Sequence, residues 1–302
     1  MSYTAAATPV TLGVDEAGDG RSIVLLPALS SISTRAEVRP LLERLASSCR
    51  VCSVDWPGFG DLPRASFDNS PRVLSDFLSW FVDQLPPPCT IVAAGHAATY
   101  ALYQAAHRPG TVDRLVLLAP TWRGPLPTMM GGQRPWFASV RRAFDRRGLG
   151  PLLYRANVSR PVLRAMAREH VYDDRNWLTP ERLAEKLAVT RAPGARHSSV
   201  RFVTGALDRV DKRENFLELA RRTSAPMLVI YGEHTPPKSR AEIEALTQLP
   251  NVLSHRLPRG KLSVYEEFPG EVAHLVASFL TLPVATHAHL HPAATRPAAP
   301  EA

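Results

Sequence analysis

Cysteine is scarce in this chain: Cys49, Cys52 and Cys89 are the only three. An odd set of three argues against a disulfide framework. Two of them lie in strand-like sequence, so they read as small buried hydrophobes in a reducing, cytoplasmic setting. No apolar run reaches roughly 18 residues, which excludes a membrane-spanning helix. The opening MSYTAAATPVTLGVDEAGDG lacks a basic stretch followed by an apolar one, so no secretory signal is expected. Acidic residues are outnumbered, 28 Asp and Glu against 36 Lys and Arg, leaving a formal charge of +8. Much of the excess sits in Arg141-Arg142, Arg146-Arg147 and RPVLRAMAREH, at spacings that read as solvated helix faces. No zinc-knuckle, RNP-like or helix-turn-helix pattern accompanies that charge, so no nucleic-acid partner is expected. No metal or cofactor is expected either. His287, His289 and His291 form H-x-H-x-H, but in a Pro/Ala-rich tail that must order before it could hold a metal.

What is present is core-forming sequence. The chain is 45% hydrophobic over 302 residues, enough for one large domain or a domain with an insertion. Short apolar runs alternate with amphipathic ones: SIVLL, TRAEVRPLLERLAS, VCSVDWPGFGD, VLSDFLSWFVDQL, TIVAAG, TYALYQAAH and RLVLLAP. PPP at 86–88 stops the second amphipathic run. The strand candidates are continuously apolar, which predicts a mostly parallel sheet covered on both faces, an α/β fold. After Pro120 the rhythm breaks, and no clear strand occurs until PMLVIYG at 226–232. Some hundred residues without a strand predict a helical insertion, with helices in PWFASVRRAFDRRG, RPVLRAMAREHV and TPERLAEKLAVTR, the last capped by Thr179. The expected divisions are 1–120 and 223–282 as two parts of one core, 121–222 as a helical cap, and 283–302 as a disordered tail.

Residues 91–103 read IVAAGHAATYALY, a strand, a tight turn and a helix. Taken with DWPGFGD, MLVIYGEHTPP and LPRGKLSVYEEFPGEVAHLVASFL in that order, this resembles the α/β-hydrolase fold family, specifically its capped members. The resemblance implies a nucleophile at the tip of the elbow turn, in the pattern G-x-S-x-G, a histidine base and an acid that orients it. Carried over by position, the nucleophile falls on Ala97, and the acid, three residues after Gly232, on Thr235. The histidine falls on Lys261 counted from Gly260, or on Leu262 counted back from Pro269. None is of the catalytic type. The oxyanion segment reads Pro27-Ala28-Leu29, and backbone N–H groups of Ala28, Leu29 and Ala98 need no particular side chain to polarise a carbonyl.

Other residues around these positions could still line a pocket. His96 precedes the expected tip and reads as a packing residue; His234 reads as a turn residue. Ser30 and Ser31 could donate hydrogen bonds to a ligand. Lys261 either snorkels to water or, buried beside an apolar floor, has its pKa depressed and serves as a base. The leading expectation is a hydrolase-fold protein without triad hydrolysis that binds, senses or scaffolds. Its ligand would be a small apolar molecule under cap residues Trp136, Phe137, Phe144, Leu149 and Tyr154, and the Arg-rich cap edge favours an acidic end. The alternatives are an enzyme using non-standard residues, either a lyase or isomerase built on Lys261, Thr235, His234 or the serines near residue 30, or an esterase-like hydrolase in a different alignment.

Overall fold

The structure is a computed structural model and describes residues 1–283. The tail expectation from 284 onward, with His287, His289 and His291, lies outside the described residues. A small hairpin of β1 (Ser2–Ala5) and β2 (Thr8–Thr11) leads into seven further strands. These are β3 (Val14–Ala17), β4 (Ser22–Leu26), β5 (Arg50–Val54), β6 (Cys89–Ala94), β7 (Val112–Leu118), β8 (Met227–Gly232) and β9 (Val252–Leu257). They form one sheet in the order β3-β5-β4-β6-β7-β8-β9, parallel throughout except for β3, which runs antiparallel to β5. Strands β1 to β3 are short, polar segments that apolar periodicity did not reveal.

Helices cover both faces, and side-chain alternation divides each strand between them. On one side Ile23, Leu25, Val92 and Val116 pack with α1 (Arg39–Leu45) and the closing helix. On the other Val24, Leu26, Ile91, Ala93, Leu115 and Leu117 pack with α2 (Pro71–Val82) and α3 (Ala97–His107). Every residue of β4, β6 and β8 is buried. Both faces being covered is why these strands read as unbroken apolar runs. Helix α2 starts where Ser70 accepts a hydrogen bond from the Val73 amide and Pro71 supplies a preset φ. The three cysteines are buried and unpaired.

Between β7 and β8 come only helices: α4 (Pro125–Met130), α5 (Phe137–Asp145), α6 (Leu149–Asn157), α7 (Arg160–Met166), α8 (Pro180–Arg191), α9 (Ala195–Val203) and α10 (Arg213–Arg222). Thr179 caps α8 by accepting from the Arg182 amide. Helices α4, α5, α6 and α8 pack around α9, and α7 packs on α8. Helix α10 instead lies on α3, burying Phe216, Leu219 and Ala220 in the sheet's core. Then α11 (Pro237–Thr247) links β8 to β9, and α12 (Val264–Glu267) and α13 (Pro269–Thr281) close the chain. Among the described residues no helix is long and apolar enough to cross a membrane.

Candidate functional site

The carboxyl ends of β4, β6 and β8 are where an open parallel sheet can hold a ligand. At the end of β6 the backbone turns through Gly95, the turn's left-handed residue at φ +51°. Helix α3 begins two positions later at Ala97, whose neighbour His96 already has helical φ and ψ of −69° and −21°. Ala97 and Ala98 are therefore fully buried, packed into the main core. The amide of Gly95 donates to Leu118 at 2.9 Å, and its carbonyl accepts from Thr121 at 3.0 Å, so the end of β7 and the chain leaving it hold the turn on both sides. A Cβ built on Gly95 would lie 3.3 Å from the Cβ of Ala28 and near nothing else outside its chain neighbours. Segment 27–29 thus faces the turn. Trp56 Nε1 pins it by donating to the Pro27 carbonyl at 3.0 Å.

The turn after β5 supports that segment from below. Asp55 accepts from the Arg35 amide at 2.8 Å and forms a close ion pair with the Arg35 guanidinium. Burial lifts the Asp55 carboxyl to about 6 against the pull of Arg35. A Cβ on Gly60 would come within 2.5 Å of Asp55 Oδ2, and φ there is +91°, so glycine is required on both counts. Leu29 is buried, while Ala28 and Ser30 are partly exposed. Ser30 Oγ accepts from the Ile32 amide at 3.4 Å.

His96 is buried. Its Nε2 faces the Leu207 carbonyl at 3.2 Å and Asp208 Oδ1 at 3.5 Å, while its Nδ1 has no partner. Burial lowers the imidazole to about 4 and raises Asp208 to about 8, the latter against the Gly124 amide that donates to it at 2.8 Å. The His96 ring lies beside Tyr100 and edge-on to Phe202.

The remaining candidates gather at the ends of β8 and β9. Thr235 is buried and its hydroxyl donates to the Gly232 carbonyl at 2.8 Å. His234 is half-exposed, with Nδ1 at 2.8 Å from Asp173 Oδ1. Asp173 also accepts from the Gly260 amide at 2.9 Å. Burial pushes the Asp173 carboxyl up, but the Gly260 amide and His234 outweigh it and hold it below the usual range. Lys261 is partly exposed and donates to the Arg168 carbonyl; Leu262 packs at the margin of the core. No hydrogen bond or ion pair among the described residues joins these four to the group around Gly95.

The buried lysine of this protein is Lys186, on α8, and the sequence reading did not single it out. It pairs closely with Glu37, follows Glu266 Oε1 at 3.1 Å, and is only a tenth exposed. Tyr172 donates to Glu266 at 2.8 Å and Tyr265 to Glu37 at 3.2 Å. Burial alone would lower the lysine's pKa; Glu37 and Glu266 reverse that and raise it well above normal. Glu37 is pushed up to about 7 by burial, only partly offset by Lys186. A signal was available: Lys186 interrupts the stripe Leu183, Leu187, Thr190, all buried on one face of α8. Of the side chains expected to lie over a ligand, Phe137 and Tyr154 are buried, whereas Trp136 and Leu149 face solvent. Tyr154 is tied to Ser199 Oγ at 3.2 Å.

Three imidazoles pair with a carboxylate distant in sequence: His96 with Asp208, His197 with Asp145 and His234 with Asp173. Among the described residues none of the three hydrogen-bonds to a hydroxyl or a thiol, the arrangement nucleophilic catalysis needs.

A sequence model described as the alpha/beta hydrolase family matches residues 23–275. The chain is 27% identical over 256 residues to a pimeloyl-[acyl-carrier protein] methyl ester esterase of Aeromonas salmonicida, covering 79% of this chain and 87% of that one. The same-named protein of Aeromonas hydrophila is 25% identical over 288 residues, covering 90% and 100%. Among solved structures, a thermophilic esterase from Thermogutta terrifontis superposes with a TM-score of 0.70 at 18% identity, covering 93% of this chain and 97% of that one. At that identity the likeness speaks for the fold alone. The sheet order, the strand–turn–helix at Gly95 and the extent of the matched sequence together make this chain a member of the alpha/beta hydrolase family.

Proposed function

We propose that this protein binds a small molecule at the strand ends and does not hydrolyse it through a Ser-His-acid triad. The observation that carries the reading is Gly95. It directly follows β6, has the turn's positive φ, and faces segment 27–29. We therefore assign the nucleophile's place to Gly95, with Ala97 one step into the helix beyond it. Neither residue bears an attacking atom. The acid's place at Thr235 holds a neutral hydroxyl committed to a backbone carbonyl, and the histidine's place holds Lys261 or Leu262. The Ala98 amide expected as a donor is taken by the Gly95 carbonyl at 3.2 Å, but the His96 amide opens α3 beside the turn and Ala28 faces it, so backbone donors for a carbonyl or carboxylate oxygen remain. The ligand we favour is small, apolar in its body and acidic at one end, enclosed by helices inserted between β7 and β8, in a cytoplasmic protein.

The test is labelling by a fluorophosphonate probe with parallel turnover of simple aryl esters. We expect no labelled serine and no turnover above the buffer rate. A single labelled serine would overturn the reading. One specific observation favours a catalytic alternative: the two curated relatives are named as methyl ester esterases. An esterase or lyase working through Lys261, Thr235, His234 or Ser30 predicts a transformed product whose formation stops in Lys261→Ala. The binding reading predicts unmodified ligand and a raised melting temperature.

A further inference from the structure

A cleft of about 230 Å³ opens beside the elbow turn, between the chain leaving β7 and the first turns of α10 and α11. It is joined to the turn directly, because Thr121, on its wall, donates its amide to the Gly95 carbonyl at 3.0 Å. Its walls carry three cations, Arg123, Arg213 and Lys238, and one carboxylate, Glu242. Glu242 is fully engaged: Arg213 donates to both of its oxygens at 2.8 and 2.9 Å, and Trp122 Nε1 donates at 3.0 Å. The other two cations have no ion-pair partner at close range, although the Arg123 charge still acts on Glu242 and Asp208. Among the described residues no carboxylate lies within 4.0 Å of the Arg123 guanidinium or the Lys238 ammonium. Lys238 donates only to the Met129 carbonyl, at 2.8 Å. The Arg123 guanidinium lies 4.0 Å from the centre of the Trp122 ring, a contact that orients it without neutralising it. Trp122 in turn is buried against Phe216, so the indole is a fixed platform.

We infer that this cleft is a binding site for a small organic carboxylate, its charge between Arg123 and Lys238 and its short apolar body against the Trp122 wall. The volume exceeds the roughly 150 Å³ of a cavity that takes up benzene, so a ligand of around ten heavy atoms fits. Three cations against one carboxylate leave this small concave surface with a net positive charge, which selects for an anion. Glu242, already saturated by three donors, presents little repulsion. The inference deepens the binding reading above by giving the ligand's acidic end a place and partners.

The test uses the full-length protein, with benzoate, its neutral isostere benzamide, and inorganic phosphate as probes at fixed ionic strength. Affinity is followed by calorimetry and by the NMR signal of the Trp122 indole N–H. Benzoate is expected to bind about tenfold or more tighter than benzamide, the size of charge-assisted hydrogen bonding. Arg123→Gln and Lys238→Gln should each weaken benzoate about tenfold and leave benzamide unchanged, while Arg168→Gln, outside the cleft, should do nothing. The inference is overturned if benzoate binds no better than benzamide to the unaltered protein, a comparison that needs no variant to fold. It is also overturned if phosphate binds as tightly as benzoate, or if folded variants bind benzoate normally. Fluorophosphonate labelling would sink the non-hydrolytic reading without touching the benzoate titration. A failed titration in an unlabelled protein removes the cleft alone.

Discussion

The turn at Gly95 and the seam at Lys186 are both places where the segment between β7 and β8 meets the rest of the fold, yet their contents are opposite. Around Gly95 the chain offers backbone amides, methyl groups and one buried imidazole facing a backbone carbonyl. Along the seam α8 drives an ammonium between two carboxylates from different parts of the core, and two tyrosines satisfy the remaining oxygens. A bare turn costs little to keep and can be filled by a ligand. A buried cluster of three charges must be complete, because each missing member strands its partners out of water. At the seam, ionisable groups lock helices to the rest of the fold.

The sharpest way to break that contrast is to empty the seam. Lys186→Met leaves Glu37 and Glu266 facing one another and should cost roughly 3–5 kcal/mol in urea unfolding. Adding Glu37→Gln to it should restore part of that loss. A cost under about 1 kcal/mol for the single change would mean the seam carries no lock.

Acidity acts in opposite senses on the raised carboxyls and the lowered imidazole. Asp208 and Glu37 are raised, to about 8 and about 7, so their contribution is complete below the ordinary carboxylate range and is lost as pH rises through those values. His96 is lowered to about 4, so its contribution is complete above 6.5 and is lost as pH falls through 4. Melting temperature should therefore decline from pH 6 to 9, on the order of 5 °C, and Asp208→Asn should flatten part of that decline. An unchanged alkaline limb in Asp208→Asn would show that its burial is relieved in solution.

Smaller effects sharpen the same comparison. Gly60→Ala should cost about 1–3 kcal/mol, because its Cβ meets the Asp55 carboxylate in a left-handed backbone. Gly95→Ser should cost only about 1–2 kcal/mol, since the space there is open apart from Ala28, and should confer no ester hydrolysis. Ester turnover in that variant would reveal a base and acid reaching the turn. Lys261→Ala, exposed and bound to one carbonyl, should stay within about 0.5 kcal/mol of the parent in the same assay.

Much of this was legible in the residues. Unbroken runs such as SIVLL and TIVAAG marked strands of a doubly covered sheet, PPP marked the end of α2, and Thr179 marked the start of α8. The site was less so. The pattern around GHAAT suggests a tip at Ala97, but which residue of a turn takes positive φ depends on where the following helix begins. That in turn depends on how α3 packs. Lys261 draws attention in the sequence because it falls on the expected histidine position, whereas Lys186 matches no motif.

Local patterning, then, settled the layers: unbroken apolar runs in the strands and the helical repeat between them follow from each residue's preference for core or water, which needs only near neighbours in the chain. The clustering of Glu37 with Lys186, Tyr172, Tyr265 and Glu266, and the cleft between Arg123 and Lys238, were decided by tertiary structure alone. Such sites bring together residues tens to hundreds of positions apart, and the energy of a charge there depends on the dielectric and the partners that only the folded chain supplies.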